Sequence, residues 1–230
     1  MTFVKKKKSL TERAPLTTEQ LERLSVDAFV RLKLSDDERA RLRLINEKRN
    51  AERLDSVARL TAEAAPIVAE LQDVGLKIQN IGELLGMSGR YERAIPILLR
   101  HIQMPYSDAI RDTIARALAV PEPAVRNAWP ILVAEYRKAP MGRGIVAKGD
   151  TKEFRLGFKD GLACALSVAV TDETLGELID LAKDRSNGEN RILLLSALRK
   201  SKNPLAQVAI NELANDPDLQ LEIASWRKKR

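Results

Sequence analysis

The sequence predicts an all-α protein whose larger part is an α-solenoid of stacked helix pairs. Three observations lead to this prediction. Ala, Leu, Arg and Glu dominate the composition, and aromatic residues make up only 4% of it, which favours helices over sheets. Short apolar segments with three- and four-residue spacing are separated by Gly and Pro breaks, as in helices joined by tight turns. An apolar string containing proline also recurs along the chain.

The composition indicates a globular protein of the cytoplasm. The 230 residues are enough for a large core, and 44% of them are hydrophobic against 31% charged. The single cysteine, Cys164, excludes an intramolecular disulfide and a multi-cysteine zinc site. The longest apolar run, residues 161–170, is shorter than the ~20 residues that span a bilayer. The basic N-terminal run has no apolar segment behind it, so we expect neither secretion nor a membrane partner.

The net charge of +7 is concentrated at the two ends of the chain. Residues 1–60 contain 15 basic and 10 acidic residues, and residues 227–230 are all basic, so the remaining residues 61–226 carry a net charge of −2. Basic ends can contact nucleic acid or acidic protein surfaces, and they can equally serve solubility.

The first 64 residues are predicted as a basic flexible arm, 1–16, followed by N-terminal helices, 17–64. Thr17 or Thr18 is suited to cap a first short helix. The acidic run that begins at Ser35 predicts the start of a long charged helix, 36–64, because acidic side chains stabilise a helix N-terminus. Its apolar stripe is thin. We favour packing of this helix along the body over projection toward a partner.

Residues 65–230 are predicted as a repeat domain with no strand, interrupted by a glycine-containing loop at 141–150. Three similar units carry an Ala-Leu pair in the same column, each preceded six residues earlier by a basic residue. A charged half-unit, 216–226, follows them as an end cap. The units span 108–136, 157–184 and 189–216, and the pairs are Ala117-Leu118, Ala165-Leu166 and Ala197-Leu198.

The recurring proline string predicts where helices begin. Ala94-Ile95-Pro96-Ile97-Leu98 returns 34 residues later as Ala128-Trp129-Pro130-Ile131-Leu132, and a looser copy begins at Ala65-Pro66. Proline is tolerated in the first helical turn, where its missing N–H costs nothing. We therefore expect Pro66, Pro96 and Pro130 each to start a fresh helix. At Pro96 and Pro130 an apparent helix precedes the proline by only a few residues, so a kink is the competing outcome there.

These strings resemble HEAT-like repeats of the short bacterial type, related to those of phycobilisome lyases. The resemblance lies in a helix ending in Ala-Leu, as at Ala117-Leu118, followed by the Ala-x-Pro-x-Leu string at 128–132. It covers about 90–226 and implies a right-handed α-α superhelix. Two units, 157–184 and 189–216, depart from the pattern by lacking the proline, and Trp226 takes a slot that small Ala fills elsewhere.

The residues suited to catalysis are few, so we predict no enzyme, no metal site and no cofactor. His101 is the only histidine, and its place near a helix C-terminus is typical of a structural cap. Cys164 lies in an Ala-rich run typical of a buried small side chain. The loop GRGIVAKGDT (142–151) lacks the preceding strand and the Gly-Lys-Ser/Thr ending of a phosphate-binding loop.

One basic column is the candidate partner-binding site. Arg111, Lys159 and Arg191 occupy equivalent positions of the three units. In a solenoid such residues line the concave face, where Arg116 and Arg199 would add to their charge and attract an acidic partner. The alternative is that the column braces one repeat against the next, often through an Asp. Asp112 and Asp160 directly follow two of the three basic residues.

The leading hypothesis is a non-enzymatic protein–protein interaction scaffold whose concave face binds a protein with an acidic or mixed surface. The alternative is a nucleic-acid-binding or DNA-repair protein, since some alkylpurine DNA glycosylases use HEAT-like repeats with aromatic residues around the lesion. Trp129, Trp226, Tyr91, Tyr106 and Tyr136 are the aromatic candidates here. A lyase-like chaperone of a pigment protein rests on the family analogy alone.

Overall fold

The computed structural model describes residues 13–87, 91–141, 143–145, 153–155 and 157–227. The chain divides into two compact units, Met1–Ala58 and Arg59–Arg230. The described residues form helices joined by turns, with one short β-ribbon, which confirms the all-α class. None of the helices in this part of the chain combines the length and apolar character that crossing a membrane requires.

Twelve α-helices are present in the described residues. Three 3₁₀ segments, Ile81–Gly86, Glu92–Ala94 and Arg185–Asn190, lie between them. The α-helices are α1 (Thr18–Glu22), α2 (Val26–Arg31), α3 (Asp36–Asp73), α4 (Ile95–His101), α5 (Asp108–Ala117), α6 (Pro123–Asn127), α7 (Trp129–Lys138), α8 (Phe158–Ala169), α9 (Leu175–Lys183), α10 (Arg191–Lys200), α11 (Pro204–Leu213) and α12 (Gln220–Arg227).

The first unit is organised around the buried carboxylate of Glu38. This carboxylate accepts hydrogen bonds from the backbone N–H groups of Leu16 (2.7 Å) and Ser35 (2.8 Å), and Arg13 binds both of its oxygens. These bonds hold the pKa of Glu38 at about 2, with the backbone donors as the main cause. Residues 13–16 of the predicted flexible arm are thus tied to the start of α3, and residues 1–12 lie outside the described residues.

The predicted helix starts in this unit are confirmed. Thr17 caps α1 in a capping box with Gln20. Ser35 accepts a hydrogen bond from the backbone N–H of Glu38 at the start of α3.

Pro66 does not start a new helix, which corrects the prediction for this copy of the proline string. Helix α3 runs without a break from Asp36 to Asp73 and carries Pro66 in its interior. A proline removes one hydrogen bond to the carbonyl four residues earlier, here that of Ala62. Both Ala62 and Pro66 are exposed, so water can satisfy this carbonyl and the helix continues.

The helix ends instead at the predicted Val74-Gly75 break. Gly75 has a φ of +94°, a conformation that favours glycine. The N–H of Leu76 donates to the Leu71 carbonyl (3.1 Å), and that of Gly75 donates to the Gln72 carbonyl (2.8 Å). This pair of bonds is the Schellman motif, which satisfies the last carbonyls of a helix.

The second unit places corresponding helices of the three repeats in contact. Helix α8 packs against both α5 and α10, which are the first helices of the repeats before and after it. Among the second helices, α9 and α11 contact each other, and α7 contacts α8. The three Ala-Leu pairs are buried in the shared core, so the prediction that they act as spacers between packed helices is confirmed.

The two later copies of the proline string behave as predicted. Pro96 and Pro130 each lie in the first turn of a helix, α4 and α7. Both prolines are exposed, while Leu98 and Leu132 in the same strings are fully buried. The string therefore starts a helix and turns its apolar face to the core.

A glycine allows a close contact between α5 and α8. A Cβ added at Gly161 of α8 would lie 2.7 Å from Oδ1 of Asp112 and 2.9 Å from the Cβ of Ala115. Asp108 of α5 also accepts hydrogen bonds from the backbone N–H groups of Gly157 (2.7 Å) and Phe158 (3.2 Å) at the start of α8. Helices α5 and α8 are thereby held close along their length.

The structure also contains strands, which the sequence did not predict. Strands β1 (Arg143–Ile145) and β2 (Glu153–Arg155) pair antiparallel, with Gly144 opposite Phe154. Both strands are only three residues long, too short for a periodic pattern to reveal them. The rest of the predicted loop 141–150, apart from Met141, lies outside the described residues.

Candidate functional site

The basic column of Arg111, Lys159 and Arg191 lies at the beginnings of α5, α8 and α10. Each of the three side chains turns into the helix layers and contacts groups of neighbouring elements.

Arg111 joins α5 to α7 and α8. Its guanidinium donates to Oε2 of Glu135 (2.7 Å) and to the Ile102 carbonyl (3.3 Å). It also lies 3.8 Å from the centre of the Phe158 ring, in a cation–π contact. Its Nε is buried and has no hydrogen-bond partner among the described residues. The guanidinium is thus engaged by one carboxylate, one carbonyl and one aromatic ring.

Lys159 is almost completely enclosed, with 4% of its surface exposed. Its ammonium group lies 4.7 Å from the centre of the Tyr136 ring and 3.4 Å from the Ala139 carbonyl. Burial lowers the pKa of Lys159, and the charge of Asp184 opposes that shift. Burial also raises the pKa of the fully buried Tyr136 phenol. This pair binds α8 to the C-terminal end of α7.

Arg191 has no exposed surface and makes the largest set of contacts in the column. It donates to both carboxylate oxygens of Asp216 (2.9 and 3.1 Å) and to Asp218 (2.7 Å). It also reaches the carbonyls of Gly188 (3.0 Å) and Ala182 (3.3 Å). The hydrogen bond from Arg191 holds the pKa of Asp216 at about 2. These ion pairs link α10 to the turn that precedes α12.

These contacts correct the predicted site for Lys159 and Arg191. Their charged groups are enclosed, so neither presents a surface to a partner. The bracing interpretation accounts for the contacts of all three column residues, although their partners are Glu135, Tyr136 and Asp216 and not the neighbouring aspartates.

Arg116 and Arg199, the other two predicted site residues, are exposed. Arg116 pairs with Asp112 one turn earlier, through its Nε at 2.9 Å. Arg199 lies 5.1 Å from the centre of the Trp226 ring. Arg199 and Trp226 line a small cavity of about 260 Å³ between α10 and α12. The other residues that line it are Ile192, Ser196, Lys200 and Glu222.

A larger groove of about 760 Å³ opens on the other side of the C-terminal end of α10. Its walls are the turn after α8 and the turn after α10. Three exposed cations line it, and we call Arg126, Lys200 and Lys202 the basic rim. The other lining residues are Ser167, Val168, Val170, Thr171, Asp172, Glu173, Leu175, Ala197, Ser201, Asn203 and Pro204.

The rim differs from the two arginines of the column, each of which is paired with a carboxylate. Among the described residues, none of the three rim side chains forms an ion pair with a carboxylate. The two acidic residues of the groove are held by neutral donors: Asp172 accepts from the side-chain amide of Asn203 (3.1 Å), and a hydrogen bond from Thr171 lowers the pKa of Glu173. The rim charges therefore face the open groove.

The rim could not be recognised in the sequence because its residues do not recur at equivalent repeat positions. A signal was present in the run Arg199-Lys200-Ser201-Lys202 directly before the Asn203-Pro204 break. Basic residues at a helix C-terminus are also favoured by the helix dipole, so the run alone does not indicate binding. Arg126 comes from the distant α6, and only the fold brings it to the groove.

His101 is part of a buried polar cluster. Its Nδ1 lies 2.9 Å from the Tyr106 hydroxyl and its Nε2 lies 3.2 Å from Oε1 of Glu70, a carboxylate that also pairs with Arg100. Burial lowers the pKa of His101, and the charge of Arg100 adds to this effect. The cluster ties α4 to α3 and agrees with the predicted structural role.

Cys164 is half-buried on α8, and burial raises the pKa of its thiol. A raised pKa keeps the thiol protonated at neutral pH, whereas a nucleophilic cysteine needs the thiolate. In the part of the chain that the structure describes, no three His, Cys, Asp or Glu side chains come together as a metal site.

No family model, curated protein or solved structure matches the chain. The resemblance to HEAT-like repeats therefore rests on the internal repeat of this sequence.

Proposed function

We propose that the protein is a non-enzymatic scaffold that binds another protein along a HEAT-like helical-repeat surface. The contacts between α5, α8 and α10, and those between α9 and α11, are the neighbour relations that a right-handed superhelix of helix pairs requires. In such a superhelix the binding surface is formed by grooves between successive repeats. From the composition we also propose that the protein acts in the cytoplasm.

The observation that carries this proposal is the groove lined by the basic rim. Its volume of about 760 Å³ falls in the range of ~300–1,000 Å³ typical of ligand sites. Exposed cations that form no ion pair with any described carboxylate favour an acidic or mixed partner surface, since complementary charge speeds encounter and fixes orientation.

Nucleic-acid binding is the weaker candidate because most aromatic residues that could stack on bases are buried. Trp129 donates from Nε1 to Glu177 (2.7 Å), and Tyr91 donates its hydroxyl proton to the Ala117 carbonyl (2.6 Å). Tyr136 has no exposed surface. Trp226 and Tyr106 are half-buried, and Phe29 of the first unit is exposed. Among the described side chains this leaves three accessible aromatic residues, one of them in the other unit, where single-strand binders use a series of stacking platforms.

The experiment is affinity capture with the immobilised full chain from nuclease-treated lysate of its own source, quantified by mass spectrometry. We expect a small set of proteins to be retained reproducibly over an unrelated helical control protein. Retention of nucleic acid alone in untreated lysate, with no protein retained after nuclease treatment, would contradict the scaffold function.

A further inference from the structure

The groove lined by the basic rim, which we call the rim groove, has features that indicate the chemistry of its partner. The cations come from two parts of the fold. Lys200 and Lys202 belong to the end of α10 and the turn after it, and Arg126 belongs to α6. A partner in the groove would therefore meet positive charge from two separate elements, the end of α10 with its following turn, and α6. A single small anion could satisfy only part of this arrangement, whereas an extended chain with several acidic groups could satisfy all of it.

The groove surface between the cations is partly apolar. Val168 and Val170 are half-buried at the end of α8, and Ala197 of α10 is buried beside them. An aliphatic side chain of a ligand could cover these residues and remove apolar surface from water. Ser201 and Thr171 add hydroxyl groups at the groove edge, which suits the backbone amides of a peptide.

Two further features separate a peptide from a nucleic acid as the occupant. Asp172 and Glu173 line the same groove as the rim, and they would repel the evenly spaced phosphates of a nucleic-acid backbone. Among the described residues that line the groove none is aromatic, so they provide no stacking platform for bases. A peptide can place its acidic side chains at the cations and its neutral or basic groups near the two carboxylates.

We propose that the rim groove binds an extended acidic segment of the partner protein, with acidic side chains at Lys200, Lys202 and Arg126 and an aliphatic side chain over Val168 and Val170. This inference rests on the proposed scaffold function and names the partner chemistry of the same surface. The binding is charge-assisted, so its affinity falls as salt rises.

The test uses a fluorescein-labelled hexapeptide of alternating glutamate and leucine, titrated with the full chain and followed by fluorescence polarisation. The variant is Lys200→Glu with Lys202→Glu, which reverses two rim charges at exposed positions. The matched control is Lys77→Glu with Arg93→Glu, which changes the net charge of the same unit equally at exposed positions outside the groove. A single-stranded oligonucleotide of six phosphates serves as the competing probe.

We expect the rim variant to bind the hexapeptide about tenfold more weakly or worse, and the control to stay within about twofold because distant surface charges are screened. Three results would overturn the inference: no binding of the hexapeptide to the wild-type chain, equal loss in both double variants, or tighter rim-dependent binding of the oligonucleotide.

Lysate capture with the same variants separates this inference from the scaffold function. If the rim variant retains the wild-type set of proteins, the groove is not the site although the scaffold function stands. If the wild-type chain retains no protein, the scaffold function itself has failed.

Discussion

Two groups of basic side chains in the second unit have the same charge and opposite surroundings. The column of Arg111, Lys159 and Arg191 lies inside the helix layers, with a carboxylate, an aromatic ring or a carbonyl beside each charge. The rim of Arg126, Lys200 and Lys202 lines an open groove, and in the part of the chain that the structure describes none of the three pairs with a carboxylate. In this protein the basic residue that recurs in each repeat is engaged by neighbouring helices, and its role is to stabilise the packing of the repeats. The residues available for binding are those that break the repeat.

The largest effect is expected from Arg191→Met. The substitution removes the bidentate partner of the buried Asp216 carboxylate and leaves the exposed Arg185 as its remaining ion-pair partner among the described residues. Breaking a buried ion pair costs about 3–5 kcal/mol of unfolding free energy, and we expect a loss at the lower end of this range because Arg185 remains. Urea unfolding followed by circular dichroism measures the change. Adding Asp216→Asn should recover part of the loss, and a loss below about 1 kcal/mol in the single variant would mean that the column is not a brace.

The next largest effect concerns the close contact beside the column. Gly161→Ala would place a methyl group 2.7–2.9 Å from Asp112 and Ala115, and such overpacking costs about 1–3 kcal/mol. Gly176→Ala in α9 is the matched control, since nothing lies within 4 Å of the added Cβ and alanine is the better helix former by about 1 kcal/mol. Equal destabilisation of the two variants in the same urea assay would argue against a close α5–α8 contact.

Acid should weaken the column and leave the rim unaffected. In the folded protein the pKa of Asp216 is lowered from 3.8 to about 2. As the pH falls, this carboxylate is therefore protonated in the unfolded chain before it is protonated in the folded one. The stability that the pair provides is therefore complete above pH 3.8 and is lost as the pH falls from there toward 2. Urea midpoints between pH 5 and 2.5 measure this loss. Arg191→Met should have a shallower pH dependence than wild type in this window, and parallel curves would contradict the assignment.

The smallest effect on stability is expected at the rim. Lys200→Ala and Lys202→Ala remove exposed side chains without counterions, so each should change the unfolding free energy by about 0.5 kcal/mol or less. The same two variants should weaken binding of the acidic hexapeptide. A substantial loss of stability would show that the rim, like the column, has a structural role.

The local features of this fold could be predicted from the sequence because they depend on neighbours in the chain. The cap at Thr17, the helix starts at Pro96 and Pro130, and the end of α3 at Gly75 all follow from the chemistry of one turn. Pro66 could not be placed correctly because tolerance of a proline inside a helix depends on whether the freed carbonyl reaches water. That exposure is a tertiary property.

The candidate site could be predicted only in part for the same reason. The alignment of Arg111, Lys159 and Arg191 is visible in the sequence, but their partners come from other helices. Glu135 is 24 residues from Arg111, and Asp216 is 25 residues from Arg191. Whether a basic residue is buried against such a partner or exposed in a groove depends on long-range packing, which a repeat pattern does not contain.

Amine labelling compares the column and the rim in one measurement. The folded full chain is treated with an amine-reactive acetylating reagent, and the rate of modification of each lysine is followed by mass spectrometry. We predict rapid modification of Lys200 and Lys202, protection of Lys159 until the protein unfolds, and slower modification of Lys200 and Lys202 when the acidic hexapeptide is bound. Modification of Lys159 in the folded protein as fast as that of Lys200 would contradict the separation of an internal brace from a binding rim.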